Sequence, residues 1–446
     1  MTAATRPLLL SALAACLFGF ADAKAHGLWG HVHVTGWAVE NMPDDDLRAF
    51  LLDPEVFNAL LFGAVFTDTG YARDSSESHA YSEHTHWEPF IQDYLEWIAV
   101  NDPPPWTTME SKKRVAFLMG CASHGLQDSI FDSLFLHHIE EQDGAGQDEA
   151  DPGTDGFLVM DEHIRFVPEQ DIPMDMLLEL YQELEADITE EVILDSVELT
   201  TDVYINDHGG TQIAAGMGAL YEDDLTWTRT HYMDPSVPGS LRAEIFPTMK
   251  YQQAIWARLH GDYKADDATV FAYPEQPRRL ISHDFTSTES WVALIFGAGV
   301  VYDGSLAELR GPDGGLVSFT QANNRWGAGH TRVIRLMPEA DLVPGGWYTV
   351  HLREGLELID GQTSTTPWEM SFQVECDAAS AGDCEDLGDI PVASVDGIPE
   401  EEGSGPDSGA AVEEGGCGCD AVGRTAAWLP LVLLAVARRR VAHRGR

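Results

Sequence analysis

Residues Arg114–Leu134 read RVAFLMGCASHGLQDSIFDSL, an apolar run followed by a segment of mixed polarity. In the second half His124, Asp128 and Asp132 recur every four residues, which places them on one face of a helix. The run Arg114–Ala122 is too apolar for a surface helix, so this face is expected to line a cleft, with a solvated helix face as the alternative. Buried carboxylates need a compensating cation, and the segment therefore predicts a cation against this helix face.

The length and charge of the chain limit its possible partners. Its 446 residues suggest two or three domains. It carries 74 acidic and 26 basic residues, a formal net charge of -48. A surface of that sign repels nucleic acid over most of its area, so no nucleic-acid partner is expected.

The N-terminus has the composition of a secretory signal. Arg6 precedes the apolar run PLLLSALAACLFGFA, and the small residues of ADAKA follow and end at Ala25. Cleavage after Ala25 makes His26 the first residue of the mature chain, and cleavage after Ala23 is the alternative. Residues 1–25 are therefore predicted to be a signal peptide, and the mature protein is predicted to be exported.

The pattern of apolar residues changes once along the chain. From His31 to about Lys264 apolar residues recur at three- and four-residue spacing, between loops such as NDPPPW. Residues 26–265 are expected to form one helical domain. Residues 274–375 contain short β-branched and aromatic runs broken by GPDGG, PGG and DGQ, which predict an antiparallel β-sandwich. The predicted fold class is multidomain, mainly α followed by a β-sandwich.

The cysteines and the C-terminal composition divide the rest of the chain. Cys376 and Cys384 bracket a short loop and are expected to close a disulfide, as an exported chain permits, whereas Cys121 is expected to be a buried thiol. Residues 376–416 are acidic and rich in Gly, Ser and Pro, which predicts a flexible stalk. The tail, 417–446, combines a Cys motif, an apolar run shorter than the ~20 residues that span a bilayer, and a basic end.

Four other segments of the helical region carry imidazole and carboxylate groups. They are HGLWGHVHV (His26–Val34), GAVFTDTGY (Gly63–Tyr71), HAYSEHTHWEPF (His79–Phe90) and EADPGTD (Glu149–Asp155). Each alone is a weak signal, since Asp68 suits a turn and the histidines suit a solvated loop. Together they bring nitrogen and oxygen ligands to one helical core from several places, as a multi-metal hydrolase requires.

Four motifs in order carry a resemblance to a known family. FGAVFTDTGY, SEHTHWEPF, PWTTMESKKRVAFLMGCASHGLQDSIFDSL and IPMDMLLELYQEL closely resemble the catalytic domain of glycosylphosphatidylinositol-specific phospholipases D. Through it they resemble the bacterial zinc-dependent phospholipases C and, more distantly, the single-strand-specific zinc nucleases. The resemblance covers residues 27–184 well and extends loosely to 262. It implies an all-helical, zinc-dependent phosphodiesterase domain.

Two further resemblances concern the C-terminal half. The phrase LMPEADLVPGGWYTVHLREGLELIDGQ resembles bacterial Ig-like domains, which typically act as spacers, so no chemistry is expected there. The tail 417–446 resembles MYXO-CTERM sorting signals. This resemblance implies processing near the cysteines by export and C-terminal sorting machinery, with retention at the outer surface or cell envelope or release from the cell. An ordinary weak membrane anchor is the alternative.

The family resemblance implies a set of metal ligands. One zinc would take Asp68, His86, His124 and Asp128. A second would share Asp128 and take His31 with the N-terminal residue, which is His26 after cleavage at Ala25. At the positions of a third site, where the family has two imidazoles and an acid, this chain has Asp132, Asp151 and Asp155. Three carboxylates suit calcium or magnesium better than zinc, and loss of this site is the alternative, so two to three ions are expected.

The same resemblance implies an activity. Metal-activated water would hydrolyse phospholipid head groups, by phospholipase C or D cleavage, with Asp68 as the base that orients the water. Trp29 and Trp87 flank ligand positions and are candidates to line a choline or acyl pocket, with core packing as the alternative. Two other functions stay open: a single-strand nuclease or nucleotidase of the same superfamily, and a catalytically impaired surface-binding protein.

Overall fold

The structure is a computed structural model that describes residues 27–205, 209–275, 278–302, 304–323, 329–388 and 391–396. The described residues from Gly27 to Val395 belong to one compact unit, and Asp396 belongs to a second unit that otherwise falls outside the described residues. The predicted signal peptide, His26, the later part of the stalk and the sorting tail also lie outside them. Their roles stay predictions.

The N-terminal region is helical, as the sequence predicts. Its helices are α1 Leu28–Glu40, α2 Asp46–Leu51, α3 Pro54–Phe66, α4 Ser76–Thr85, α5 Glu88–Asn101, α6 Met109–Ile130, α7 Leu136–Gln142, α8 Gln147–Met160, α9 Met174–Leu180, α10 Glu190–Val203, α11 Gly209–Tyr221, α12 Thr226–His231 and α13 Ile245–His260. Side-chain caps begin several of them: Asp45, Asp53, Ser75, Thr108 and Thr189 each accept a backbone N–H of the first turn. Within the described ranges, no helix is long and apolar enough to cross a bilayer.

Helix α6 is the central element of this region. It is buried from Val115 to its end, and it continues through a π-helical segment, Phe131–Phe135, directly into α7. Helix α3 packs on it with the backbones in direct contact, because a Cβ at Gly63 would lie 2.3 Å from the Phe117 carbonyl oxygen and one at Gly120 would lie 2.1 Å from the Leu60 carbonyl oxygen. This close approach fixes the end of α3 against the helix that carries His124.

The C-terminal region is rich in sheet, again as the sequence predicts. Its strands are β1 Thr269–Tyr273, β2 Arg279–Leu280, β3 Val292–Val301, β4 Ala307–Arg310, β5 Leu316–Val317, β6 Phe319–Asn323, β7 Thr331–Pro338, β8 Trp347–Leu352, β9 Glu357–Leu358 and β10 Trp368–Val374. One sheet has the order β1-β3-β7-β6, with β9 also paired to β3, and the other has the order β2-β10-β8-β4-β5. Leu294 and Ile334 of the first sheet share a core with Val350 and Phe372 of the second.

The first sheet also packs on the helices. Ile295 of β3 and Val333 of β7 belong to the same buried cluster as Tyr251 and Ile255 of α13. Strand β3 is therefore buried on both faces, which explains why its sequence, VALIFGAGVV, is continuously apolar instead of alternating. The sheet region and the helical region thus share a core inside one compact unit.

The residues after β10 are partly packed. Cys376 and Cys384 form a disulfide, and Cys121 is a buried free thiol, so both sequence predictions are confirmed. The early part of the segment predicted as a flexible stalk differs from expectation. Asn41 and Ser394 exchange two hydrogen bonds of 2.8 Å, and Ala393 is buried in a helical core. A short apolar stretch inside an acidic segment is enough to dock it.

A buried histidine at the contact between helices and sheets predicts a pH dependence of stability. His138 of α7 is 2% exposed, its Nδ1 lies 2.6 Å from the Thr288 hydroxyl, and burial lowers its pKa to about 4. The unfolded chain, with an ordinary histidine pKa, binds more protons between pH 6.5 and 4. The free energy of unfolding should therefore fall as the pH drops through this interval, by about 3 kcal/mol for this residue.

Urea unfolding of metal-free protein at pH 7, 5.5 and 4.5 tests this expectation. The difference between wild type and His138→Gln isolates the contribution of this imidazole, since the other titrating groups are common to both proteins. Wild type should lose stability relative to the variant as the pH falls. Parallel pH profiles of the two proteins would contradict the expectation.

Candidate metal centre

Five of the predicted ligands converge at one point of the helical region. His31 lies in the first turn of α1, Asp68 follows α3, His86 ends α4, and His124 and Asp128 lie one turn apart on α6. The three imidazoles and Asp128 are at most 3% exposed, whereas the Asp68 side chain is 15% exposed. Asp68 therefore lies on the more open side of the cluster.

The Asp128 carboxylate is surrounded by imidazoles. Its oxygens lie 3.1 Å from His31 Nε2, 3.3 Å from His124 Nε2 and 3.4 Å from His86 Nε2. Asp68 Oδ1 lies 3.1 Å from His86 Nε2 and 3.6 Å from His124 Nε2. Two sets, His31–His124–Asp128 and Asp68–His86–His124, each hold three ligand atoms within 4.8 Å of one another. Nitrogen and oxygen donors at this spacing suit zinc.

The orientation of the imidazoles supports the same assignment. Each Nδ1 donates to an oxygen outside the cluster: His31 to Gln127 Oε1 at 2.8 Å, His86 to the Ser82 carbonyl at 2.6 Å and His124 to the Ala64 carbonyl at 2.6 Å. The Gln127 amide is itself oriented, because its nitrogen donates to Thr35 at 3.0 Å. With the proton on Nδ1, every Nε2 lone pair points into the cluster, which is the arrangement of metal-ligating histidines.

The electrostatics of the cluster favour a cation. Burial alone would lower the pKa of His124, but the carboxylates of Asp128 and Asp68 raise it to about 10. Burial likewise opposes ionisation of these two carboxyls, yet the neighbouring imidazoles, His124 foremost, hold both pKa values far below their usual range. Two ionised, largely buried carboxylates thus create a site for positive charge, and a divalent ion with neutral imidazoles satisfies it.

The residues predicted for a third ion are not brought together in the same way. Asp132, in the π-helical segment, is half-buried and accepts a hydrogen bond of 3.2 Å from Gln147. Asp155 of α8 accepts the backbone N–H groups of Trp29 at 3.0 Å and Gly30 at 2.8 Å. Within the part of the chain that the structure describes, no close group of three ligand atoms includes Asp132, Asp151 or Asp155. Their role as ligands stays a prediction.

Asp155 instead holds the start of the helix that carries His31. Burial raises its pKa to about 7, and a Cβ at Gly27 would lie 2.2 Å from its carboxylate, so the N-terminus of α1 sits directly on this side chain. It satisfies N–H groups that have no partner within α1.

Substitution of Asp155 separates this role from that of a metal ligand. Asp155→Ala should lower the free energy of unfolding by about 1 kcal/mol through loss of the helix contact. Asp155→Asn keeps an oxygen acceptor, so it should retain most of this stability and the full zinc content. Chemical denaturation and metal analysis check both results, and loss of an ion in a stable Asp155→Asn protein would identify Asp155 as a ligand.

The two predicted pocket tryptophans lie in different environments. Trp29 is 2% exposed and belongs to a hydrophobic core, which matches the alternative of core packing. Trp87 is half-buried, its ring centroid lies 5.8 Å from that of His86, and its Nε1 donates to Glu83 at 3.0 Å. Tyr71 donates to the other oxygen of Glu83 at 2.8 Å, and its ring lies 5.5 Å from His86. Tyr71, Glu83 and Trp87 thus flank His86.

Sequence reasoning missed several residues around the centre. Tyr71 and Glu83 stand in quoted motifs, each three residues from a predicted ligand, but nothing in the motifs shows that they meet. Glu244, just before α13, is fully buried, and burial with the charges of Asp128 and Asp132 raises its pKa well above the usual range. It lies in an ordinary amphipathic segment, so no sequence signal distinguishes it.

Comparisons with known proteins point to one family. Residues 30–196 match the family model described as zinc dependent phospholipase C. Phosphatidylinositol-glycan-specific phospholipase D of Rattus norvegicus is 33% identical over 124 residues, which is 26% of this chain and 14% of that protein. The Homo sapiens protein of the same name is 34% identical over 116 residues, 25% of this chain and 14% of that protein. The match thus spans about one seventh of the length of these curated relatives.

A likeness among solved structures adds nothing to this. The alignment with the surface layer protein SbsC, domains 1-6, covers 72% of this chain and 46% of the SbsC chain, at 12% identity and with a TM-score of 0.20. A score this low carries no inference.

The segment that matches the family model contains all five clustered ligands, His31, Asp68, His86, His124 and Asp128. These findings support the zinc-dependent phospholipase family for residues 30–196 of this chain.

Proposed function

We propose that this protein is an exported, zinc-dependent phosphodiesterase that hydrolyses the head-group bonds of phospholipids. The observation that carries the proposal is the buried cluster of three imidazoles and two carboxylates, with every Nε2 aimed inward, inside the segment that matches the phospholipase family. Zinc held by these residues would supply a bound water of lowered pKa and a Lewis acid for a phosphoryl oxygen.

The side chains of the cluster have different tasks in this proposal. His31, His86, His124 and Asp128 are almost fully buried, which suits residues that only hold ions in place. Asp68 is more exposed, and its contacts with His86 and His124 run through Oδ1. We assign its second oxygen, Oδ2, to orienting the attacking water and accepting its proton.

The residues that flank His86 indicate the kind of head group. Tyr71 and Trp87 offer aromatic faces, and Glu83 between them offers a negative charge. Aromatic faces with a carboxylate suit a cationic head group such as choline. The net charge of -48 also disfavours anionic lipids, although screening limits this effect to ~8 Å at physiological salt.

Export and surface retention belong to the same proposal. They are supported by the composition of residues 1–25 and by the likeness of the tail to a MYXO-CTERM signal. The two-sheet region is proposed to be Ig-like, which its antiparallel pairs and shared core support.

An assay of two substrates and three cleavage reactions, with one preparation, tests the activity. Zinc-loaded protein is incubated with phosphatidylcholine vesicles and, separately, with single-stranded DNA, with and without a chelator. Diacylglycerol with phosphocholine reports C-type cleavage, and choline with phosphatidic acid reports D-type cleavage. We expect lipid products that disappear with the chelator and return with zinc. DNA cleavage alone would favour the nuclease, and no product from zinc-loaded protein would favour a binding protein.

A further inference from the structure

An arginine of strand β7, Arg332, contacts the backbone of the predicted metal ligand His86. Arg332 is 3% exposed, and its Nη2 donates to the His86 carbonyl at 2.5 Å. Gly125 of α6, next to His124, lies against the same pair. A Cβ at Gly125 would lie 2.2 Å from the His86 carbonyl oxygen and 2.8 Å from either terminal guanidinium nitrogen. The guanidinium is thus packed between two segments that carry clustered ligands.

The contact occurs where the backbone of His86 needs a partner. His86 is the residue that ends α4, and the last carbonyls of a helix find no N–H donor within that helix. Its imidazole is held through Nδ1 by the Ser82 carbonyl one turn earlier. Arg332 fixes the other end of the residue, so backbone and ring are both constrained.

A buried carboxylate keeps Arg332 in place. Glu88, two residues after His86, has an oxygen 3.9 Å from Arg332 Nε, and it accepts hydrogen bonds from Arg258 at 2.8 Å and Tyr251 at 2.7 Å. Glu88 thus contacts two buried guanidinium groups, those of Arg258 and Arg332.

The backbone of the sheet also packs directly against the Glu88 side chain. A Cβ at Gly299 of β3 would lie 2.3 Å from Glu88 Cγ. The network therefore joins α4, α5, α6, α13, β3 and β7 at one point. A buried ionic network of this kind often adds little net stability, and its better-attested use is to fix one arrangement of its neighbours.

We propose that Arg332, held by Glu88, is a positioning residue for the metal ligand His86, so that the sheet region completes the metal centre. This assigns a role in the chemistry to a region where the sequence suggests only a spacer. The inference rests on the metal-binding part of the proposed function and is independent of the substrate. Mutation of a residue that orients a metal ligand without touching the metal typically weakens metal affinity by roughly 10- to 100-fold.

The test compares two arginines of the same strand in the full-length protein. Arg332→Met keeps the apolar stem and removes every donor, and Arg332→Lys restores one donor. Arg335→Met is the matched control, because Arg335 also donates to a helical-region carbonyl, that of Ser133 at 2.8 Å, but Ser133 is not a clustered ligand. Zinc affinity is measured by competition with a chelator, and His86→Ala identifies the binding step that depends on this ligand.

We expect Arg332→Met to weaken that step roughly 10- to 100-fold, Arg332→Lys to recover part of the loss, and Arg335→Met to lower only the melting temperature. Cobalt-substituted protein should show an altered visible spectrum for Arg332→Met alone. Equal melting losses for both methionine variants with wild-type zinc affinity would overturn the proposal.

A second variant covers the case in which Arg332→Met does not fold. Glu88→Gln keeps the shape of the side chain and removes the charge that holds Arg332. It should weaken the His86-dependent step in the same direction, and a folded Glu88→Gln protein with wild-type affinity would overturn the inference. Zinc retained by His124→Ala would instead contradict the metal role of the cluster, and with it the proposed function.

Discussion

Replacing His124 with alanine is expected to remove the clustered zinc and the phosphodiesterase activity together. His124 belongs to both sets of ligand atoms, so its loss affects either ion. Zinc binds only the folded chain, and a ligand at 1,000 times its Kd stabilises a protein by about 4.1 kcal/mol. The variant should therefore also unfold at a lower temperature in zinc. Asp128→Asn should act similarly, since Asp128 lies within 3.4 Å of three imidazoles.

His33→Ala is the matched control for this experiment. His33 is a fully buried imidazole two residues after His31. Its ring makes hydrogen bonds with the Trp29 carbonyl and the backbone N–H of Arg165 rather than with the cluster. Its loss should lower stability and leave the zinc content intact. Zinc per chain is counted by mass spectrometry, and melting is followed by calorimetry with and without zinc. Unchanged zinc and melting in His124→Ala would rule the assignment out.

The position of Asp132 shows where sequence periodicity stops being a guide. A spacing of four residues places His124, Asp128 and Asp132 on one face of an ideal α-helix. The structure changes to a π-helix at Phe131–Phe135, so the α-helical period no longer applies at Asp132. His124 and Asp128 precede this change and reach the centre. Local sequence gives no sign of the π turn.

The sheet region shows a second limit. Its strands could be identified because short β-branched runs between Gly/Pro turns have few other interpretations. Its docking on the helices could not, although the unbroken apolar run of β3 indicates burial on two faces. The same holds for Arg332, since an arginine in an alternating strand is ordinarily a surface residue. Its buried partner, Glu88, is 244 positions away in sequence (332 − 88), and only the fold brings them together.

The ligand residues themselves were the most predictable part of the site. The family resemblance implies Asp68, His86 and His124 by their places in its motifs, and zinc chemistry, which restricts the donors to a few side chains, agrees with that choice. The partners that orient them were not predictable. Two of the three imidazoles use main-chain carbonyls, Ser82 and Ala64, and a carbonyl leaves no trace in residue identity.

Asp68→Asn is expected to lower kcat by roughly 10²- to 10⁴-fold, the usual contribution of a general base. An amide can still offer one oxygen to a metal, but it cannot take a proton from water at neutral pH. The rate per bound zinc should therefore fall much more than the zinc content does. Rates on phosphatidylcholine are measured at saturating zinc and divided by the metal content of the same sample.

Asp68→Glu provides the contrast, because it retains a base but moves it. The cluster around Asp68 is tight, with Oδ1 within 3.6 Å of two imidazoles, so an added methylene must displace either the ligand oxygen or the proton-accepting one. If Asp68 serves mainly as the base, the glutamate variant should keep more activity per zinc than the asparagine variant. If it serves only as a ligand, both variants should lose activity in proportion to the zinc they lose. An Asp68→Asn protein that keeps wild-type kcat per zinc would therefore remove Asp68 from the proton transfer and leave it a ligand alone.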